Sequence, residues 1–102
     1  MSLLMLPEAE DDVARAVAWY EMQRPGRGHD YADAIESSLR SIEAFPRIGG
    51  MASPAVSGRE IRRIVVQGFP YLIFYELEGD DTVILAVPHQ RQRPGGWQTR
   101  LP

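Results

Sequence analysis

Between positions 61 and 87 the chain carries three β-forming runs with almost nothing between them, and this spacing limits the fold more than any other feature. Residues 61–67 contain Ile-Val-Val, 71–77 read Tyr-Leu-Ile-Phe-Tyr-Glu-Leu, and 82–87 read Thr-Val-Ile-Leu-Ala-Val. Gly68-Phe69-Pro70 separates the first two, and Glu78-Gly79-Asp80-Asp81 forms a hairpin turn before the third. A parallel neighbour needs a crossover of roughly a dozen residues or more. The three runs are therefore predicted to pair consecutively and antiparallel. Alternation turns Ile64 and Val66, Leu72 and Phe74, or their alternates, towards a core. The third run is apolar on both sides, which suits a central strand with helices over one face.

Upstream the periodicity changes. Leu3-Leu4-Met5-Leu6 is a short apolar run, read as a strand or extended lead-in. Pro7 followed by Glu8, Glu10, Asp11 and Asp12 marks a helix start, because proline suits the first turn and acids complement the helix dipole. Val13, Ala16, Val17 and Tyr20 then form one apolar stripe. Arg24-Pro25-Gly26-Arg27-Gly28 breaks that helix. Asp30 is the predicted N-cap of a second helix, with Tyr31, Ala34, Ile35, Ser38, Leu39, Ile42 and Phe45 on its inner face. Pro46 and Gly49-Gly50 end it, and 47–58 reads as a loop. The order is β-α-α-β-β-β: an α+β fold, one antiparallel sheet with a helical hairpin packed on one face.

Composition narrows the function classes. The chain has 102 residues, 44% hydrophobic and 25% charged, which predicts one small globular domain over 1–102. It has no cysteine, so a disulfide scaffold, a thiol nucleophile and a Cys-ligated zinc site are excluded. There is no P-loop, dinucleotide fingerprint, HExxH or GxSxG. His29 and His89 lie in different segments without metal-ligand spacing, so neither metal nor cofactor is expected. No apolar run approaches the ~20 residues of a membrane span and no secretory leader is visible. The expectation is a cytoplasmic protein without a membrane partner.

The net charge of −3 hides an asymmetry. Residues 1–58 hold five Arg and nine acids; residues 59–102 hold six Arg and five acids; there is no Lys. A general nucleic-acid binder is usually basic throughout, so any anion site here must be local. Two clusters supply the candidates: Arg62 and Arg63 beside Arg59, and Arg91 with Arg93 after His89. Together Arg62, Arg63, Arg91 and Arg93 are predicted to line a common rim that holds an anionic target. An imidazole beside guanidinium groups also suits metal-free RNA cleavage: His89 would shuttle a proton while Arg63 and Arg91 stabilise phosphorane charge. That chemistry needs a second proton-transfer group, for which Tyr71 and Tyr75 are the candidates. His29, next to a helix start, reads as an exposed turn residue. Trp97 sits in a polar tail, 89–102, and is expected to dock that tail onto the body. The sheet face and helical hairpin should leave an apolar groove, where a partner segment that folds on binding would lay an amphipathic helix or an added strand, with Trp19, Met22 and the strand edges as its contacts.

Four stretches carry a resemblance. They are Pro7-Glu8-Ala9-Glu10-Asp11-Asp12; Trp19-Tyr20-Glu21 with Gln23-Arg24-Pro25-Gly26 and Gly28; Phe69 to Tyr75; and Leu85-Ala86-Val87-Pro88-His89-Gln90-Arg91. In this order they resemble the ParE branch of the RelE/ParE toxin superfamily, often called plasmid stabilisation proteins, from about residue 3 to Trp97. The resemblance implies a bacterial type II toxin–antitoxin module whose toxin is silenced by a cognate antitoxin. ParE-type members are associated with inhibition of DNA gyrase; RelE-type members cut mRNA on the ribosome without metal. Nuclease members commonly carry a basic residue where this chain has Leu72, and often a tyrosine where it has Trp97. The expected function is thus a toxin that binds a macromolecular target such as DNA gyrase. The alternatives are a metal-independent endoribonuclease using His89, Arg63 and Arg91, and a degenerate toxin fold that binds only its antitoxin.

Overall fold

A computed structural model describes residues 2–52, 56–92 and 96–101. Its elements are β1 (Ser2–Met5), α1 (Pro7–Gln23), α2 (Arg27–Ala44), β2 (Gly50–Met51), β3 (Glu60–Val65), β4 (Leu72–Glu78), β5 (Asp81–Ala86) and a 3-10 helix (Gly96–Arg100). The strands form one five-stranded sheet in the order β1-β5-β4-β3-β2. The antiparallel trio β3-β4-β5 is present as expected. The helical hairpin carries the chain back along the sheet, so β1 joins β5 in parallel, and the sheet is mixed rather than antiparallel throughout. Residues 47–58 are not wholly loop, because Gly50 and Met51 pair with Arg63 and Arg62.

The two helices cover one face. Ala9, Ala16, Tyr31, Ile35 and Ile42 pack there against Val66, Ile73, Tyr75, Ile84 and Val87. Burying each large side chain of this set contributes roughly 1.5–3 kcal/mol. On β4 it is the alternates, Ile73 and Tyr75, that face the helices, while Leu72 and Phe74 point to the other face, where Phe74 joins Ile61, Leu85, Ala86 and Trp97. The predicted α2 face is correct except at Phe45, which follows the helix and is 68% exposed.

α2 starts at Arg27, not after Asp30. Its N-cap is Gly26, at φ 89°, which offers no capping side chain. The orphan N–H groups are met from the preceding helix: the Glu21 carboxylate accepts from Gly26 N at 3.0 Å and Gly28 N at 3.0 Å. Gly28 must be glycine, since a Cβ there would lie 2.7 Å from the Val17 carbonyl oxygen. The hairpin is thus joined by a carboxylate and a close backbone approach.

One irregularity shapes the open face. The β4–β5 register shifts between Phe74 and Tyr75, which face Ala86 and Ile84 respectively. Leu85 is the extra residue of this bulge, and Leu85 and Ala86 both pack on the open face.

Candidate functional site

The open face carries a cavity of about 340 Å³. β4 and β5 supply its floor with Leu72, Phe74 and Ala86, and the 3-10 helix adds Trp97. Its rim holds Arg63 from β3, His89, Gln90 and Gln92 after β5, Asp12 and Arg15 from α1, and Arg100. Trp97 is only 3% exposed and stacks on Phe74, with ring centroids 5.6 Å apart and planes 23° apart. The tail docks, as its tryptophan suggested.

Asp12 organises this rim. Its partly buried carboxylate accepts from Val87 N at 2.9 Å, from Arg100 Nη1 at 2.7 Å and Nη2 at 3.2 Å, and from Arg15 Nη2 at 2.8 Å. Arg100 also donates to the Leu85 carbonyl at 2.9 Å, a backbone oxygen within the bulge. Among the described residues, two of the three guanidiniums at the cavity, Arg15 and Arg100, are therefore bonded to Asp12. The third, Arg63, is exposed and has no carboxylate partner among the described residues.

The predicted common rim of guanidiniums is only partly assembled. Adjacent residues on a strand face opposite ways, and Arg62 points to the helix side. There its Nε donates to Glu60 at 2.9 Å and its Nη1 to the Gly49 carbonyl at 2.7 Å. Arg91 is exposed and does not line the cavity. Arg93 lies outside the described residues. The structure brings Arg63 and His89 together and adds Arg15 and Arg100, which sequence reading missed. Arg15 was findable as the i+3 partner of Asp12 on a helix. Arg100 was not, because its link to Asp12 spans 88 positions.

His89 is half-buried, and its ring meets the Tyr71 ring edge-on at 5.1 Å. Its Nδ1 accepts from Arg91 N at 3.0 Å, which fixes the imidazole orientation. Neither proposed proton-transfer partner lines the cavity. Tyr75 is fully buried on the helix side, where its hydroxyl donates to the Pro46 carbonyl at 2.7 Å and accepts from Gly49 N at 3.0 Å. Tyr71 packs with Tyr20, Tyr31 and His89. Burial raises both hydroxyl pKa values above the ordinary tyrosine range, which makes them poorer proton donors at neutral pH. His29 lies in the first turn of α2, exposed, with Nε2 3.3 Å from Asp33. Among the described residues no three His, Cys, Asp or Glu side chains converge as a metal site.

Trp19 and Met22 project from α1, 55% and 83% exposed. Arg15, one turn before Trp19 on the helix, reaches the cavity rim. The cavity and the apolar ridge are thus neighbouring parts of one surface. No helix among the described residues is long and apolar enough to cross a membrane.

No curated protein sequence matches the chain. Among solved structures, the chain is similar to one described as the chromosomal ParDE TA system from P. aeruginosa. The two share 18% identity at a TM-score of 0.73, over 87% of this chain and 95% of that one, a likeness of fold. The family described as the ParE toxin of the type II toxin–antitoxin system, parDE, matches residues 3–94. With nearly its full length matched, the chain belongs to the ParE toxin family of type II toxin–antitoxin systems.

Proposed function

We propose that the protein acts by binding a macromolecular target such as DNA gyrase, and that a cognate antitoxin neutralises it by covering Trp19, Met22 and the neighbouring cavity. The observation that carries this reading is the chemistry of the cavity among the described residues: an apolar and aromatic floor, one guanidinium without a carboxylate partner, and no tyrosine at its rim. Such a site suits recognition. Arg63 offers a planar fork for a carboxylate or phosphate, and half-buried Leu72 offers apolar contact beside the buried Phe74–Trp97 stack. The anion-binding role assigned to Arg62 loses support, because that side chain is held by Glu60 and Gly49.

The test is a supercoiling assay with DNA gyrase run beside a ribosome-dependent mRNA cleavage assay. Inhibited supercoiling with intact RNA is expected, with relief on adding the product of the neighbouring reading frame. Intact supercoiling together with cut RNA would replace this reading with the endoribonuclease one, which the shared placement of His89 and Arg63 favours. In that event His89→Ala should abolish cleavage while the fold is kept. Unaffected growth on induction without antitoxin would leave a fold that serves only to bind its antitoxin.

A further inference from the structure

We propose that the groove between α2 and the free end of β3 is a second docking site, whose occupant is an extended, uncharged segment of a partner protein that adds as a strand beside Val65. The site is on the helix side of the sheet edge, away from the aromatic cavity, and the proposal does not depend on the toxin reading.

The backbone sets the case. Ala52 N donates to Ile61 O at 2.8 Å, and Gly50 faces Arg63, so alternate residues of β3 turn their N–H and C=O towards β2. β2 ends opposite Arg63. Val65 is next in the alternation, and among the described residues no strand lies opposite it. The segment that would have continued β2 past Val65 is held elsewhere. Gly49 N donates to the Tyr75 hydroxyl, Gly49 O accepts from Arg62, and Pro46 O accepts from Tyr75. The chain cannot close its own edge without breaking these bonds.

The surroundings define the occupant. A groove of about 350 Å³ lies beside this edge, lined by Ser37, Ser38 and Ser41 of α2 and by Ile48, Ile64 and Val65. Among the described residues none that lines it is charged, so a charged side chain entering it would lose hydration without a counter-charge. Ser38 and Ser41 already donate to Ala34 O and Ser37 O, leaving small, accepting surfaces. Ile48 and Val65 stand 54% and 57% exposed at its mouth. Residues 64–67 carry neither charge nor proline, the usual protections of an open edge. A groove is concave and cannot be its own complement across a two-fold axis, which argues against a second copy. A neutral strand satisfies Val65 through its backbone and seats one aliphatic side chain in two between Ile48 and Ile64.

The test titrates the isotope-labelled full chain with a capped pentapeptide of alternating valine and threonine. Amide exchange at Val65 should slow about tenfold, with shifts at Ser38, Ser41 and Gln67 and none at Arg63 or Trp97. Val65→Pro removes only the outward N–H, which an edge strand tolerates, and should abolish the response. Ser37→Arg, at an exposed helix position, should block the groove and do the same should the proline variant fail to fold. A silent titration to millimolar peptide, a response unchanged in Ser37→Arg, shifts confined to the Trp97 cavity, or a dimer that protects Val65 without peptide would each overturn the proposal.

Discussion

At the scale of single residues, the two adjacent arginines of β3 differ in their partners. Arg62 bonds inward to Glu60 and the Gly49 carbonyl, whereas Arg63 projects from the open face. Arg63→Ala should therefore change stability by no more than ~0.5 kcal/mol while reducing toxicity on induction. Urea unfolding beside a growth assay separates the two effects, and wild-type toxicity in that variant would remove Arg63 from the recognition surface. Tyr75 makes the opposite case. Its hydroxyl is the buried link between the sheet and the chain leaving α2. Tyr75→Phe leaves Pro46 O and Gly49 N without that partner and should cost about 1–3 kcal/mol by urea unfolding. Much of this was legible. The divergence of Arg62 and Arg63 follows from the two-residue period of any strand, once 61–67 is read as one. The role of the Tyr75 hydroxyl was not, because its partners are backbone groups of an irregular segment with no pattern of its own.

At the scale of elements, the C-terminal 3-10 helix is the least self-sufficient piece. Burying the indole of Trp97 contributes roughly 5 kcal/mol. Fixing five residues costs about 5–10 kcal/mol in backbone entropy. The balance runs from about zero to about 5 kcal/mol unfavourable, so the bonds of Arg100 to Asp12 and Leu85 O decide whether the element docks. Asp12→Asn keeps the size of the side chain but removes the charge that holds two guanidiniums. It should cost about 2 kcal/mol, less than the 3–5 of a fully buried pair because Arg100 keeps 22% of its exposure. The Trp97 indole resonance should move towards its solvent-exposed position at the same time. An unchanged indole signal would mean that apolar contact alone seats this helix. The same dependence on distant partners explains the misread start of α2. Asp30 looks like an N-cap in sequence, but the cap comes from Glu21 across the hairpin, which local preference cannot anticipate. The types and order of β1, α1, α2, β3, β4 and β5, by contrast, were readable, because periodicity and short connections leave few alternatives, whereas the two-residue β2 and the 3-10 helix were not.

At the scale of the whole molecule, the sheet separates a helix-covered face from an open face that carries the cavity, and the tyrosines belong to the first. Tyr20, Tyr31, Tyr71 and Phe69 form one aromatic cluster between α1, α2 and the β3–β4 loop, with Arg27 stacked over Phe69 at 4.3 Å. Tyr75 lies in the same layer, so all four tyrosines of the chain are on the helix side. Burial pushes every one of their hydroxyls above the ordinary tyrosine pKa, most strongly at Tyr31, whose oxygen has no hydrogen-bond partner among the described residues. The consequence for stability has a definite sign. Below pH ~10 the tyrosines are protonated in both folded and unfolded chains and exert no pH dependence. Above it the unfolded chain releases protons that the folded chain retains, so unfolding is favoured as pH rises towards the folded values. Stability measured by urea titration should be level across pH 8–9.5 as far as tyrosine is concerned, and fall steeply above ~10. Phenolate absorbance should rise together with the loss of far-ultraviolet circular dichroism, as one cooperative event. Phenolate appearing while the fold persists would show that water reaches this layer, and the aromatic cluster would then not be the sealed support on which the open face depends.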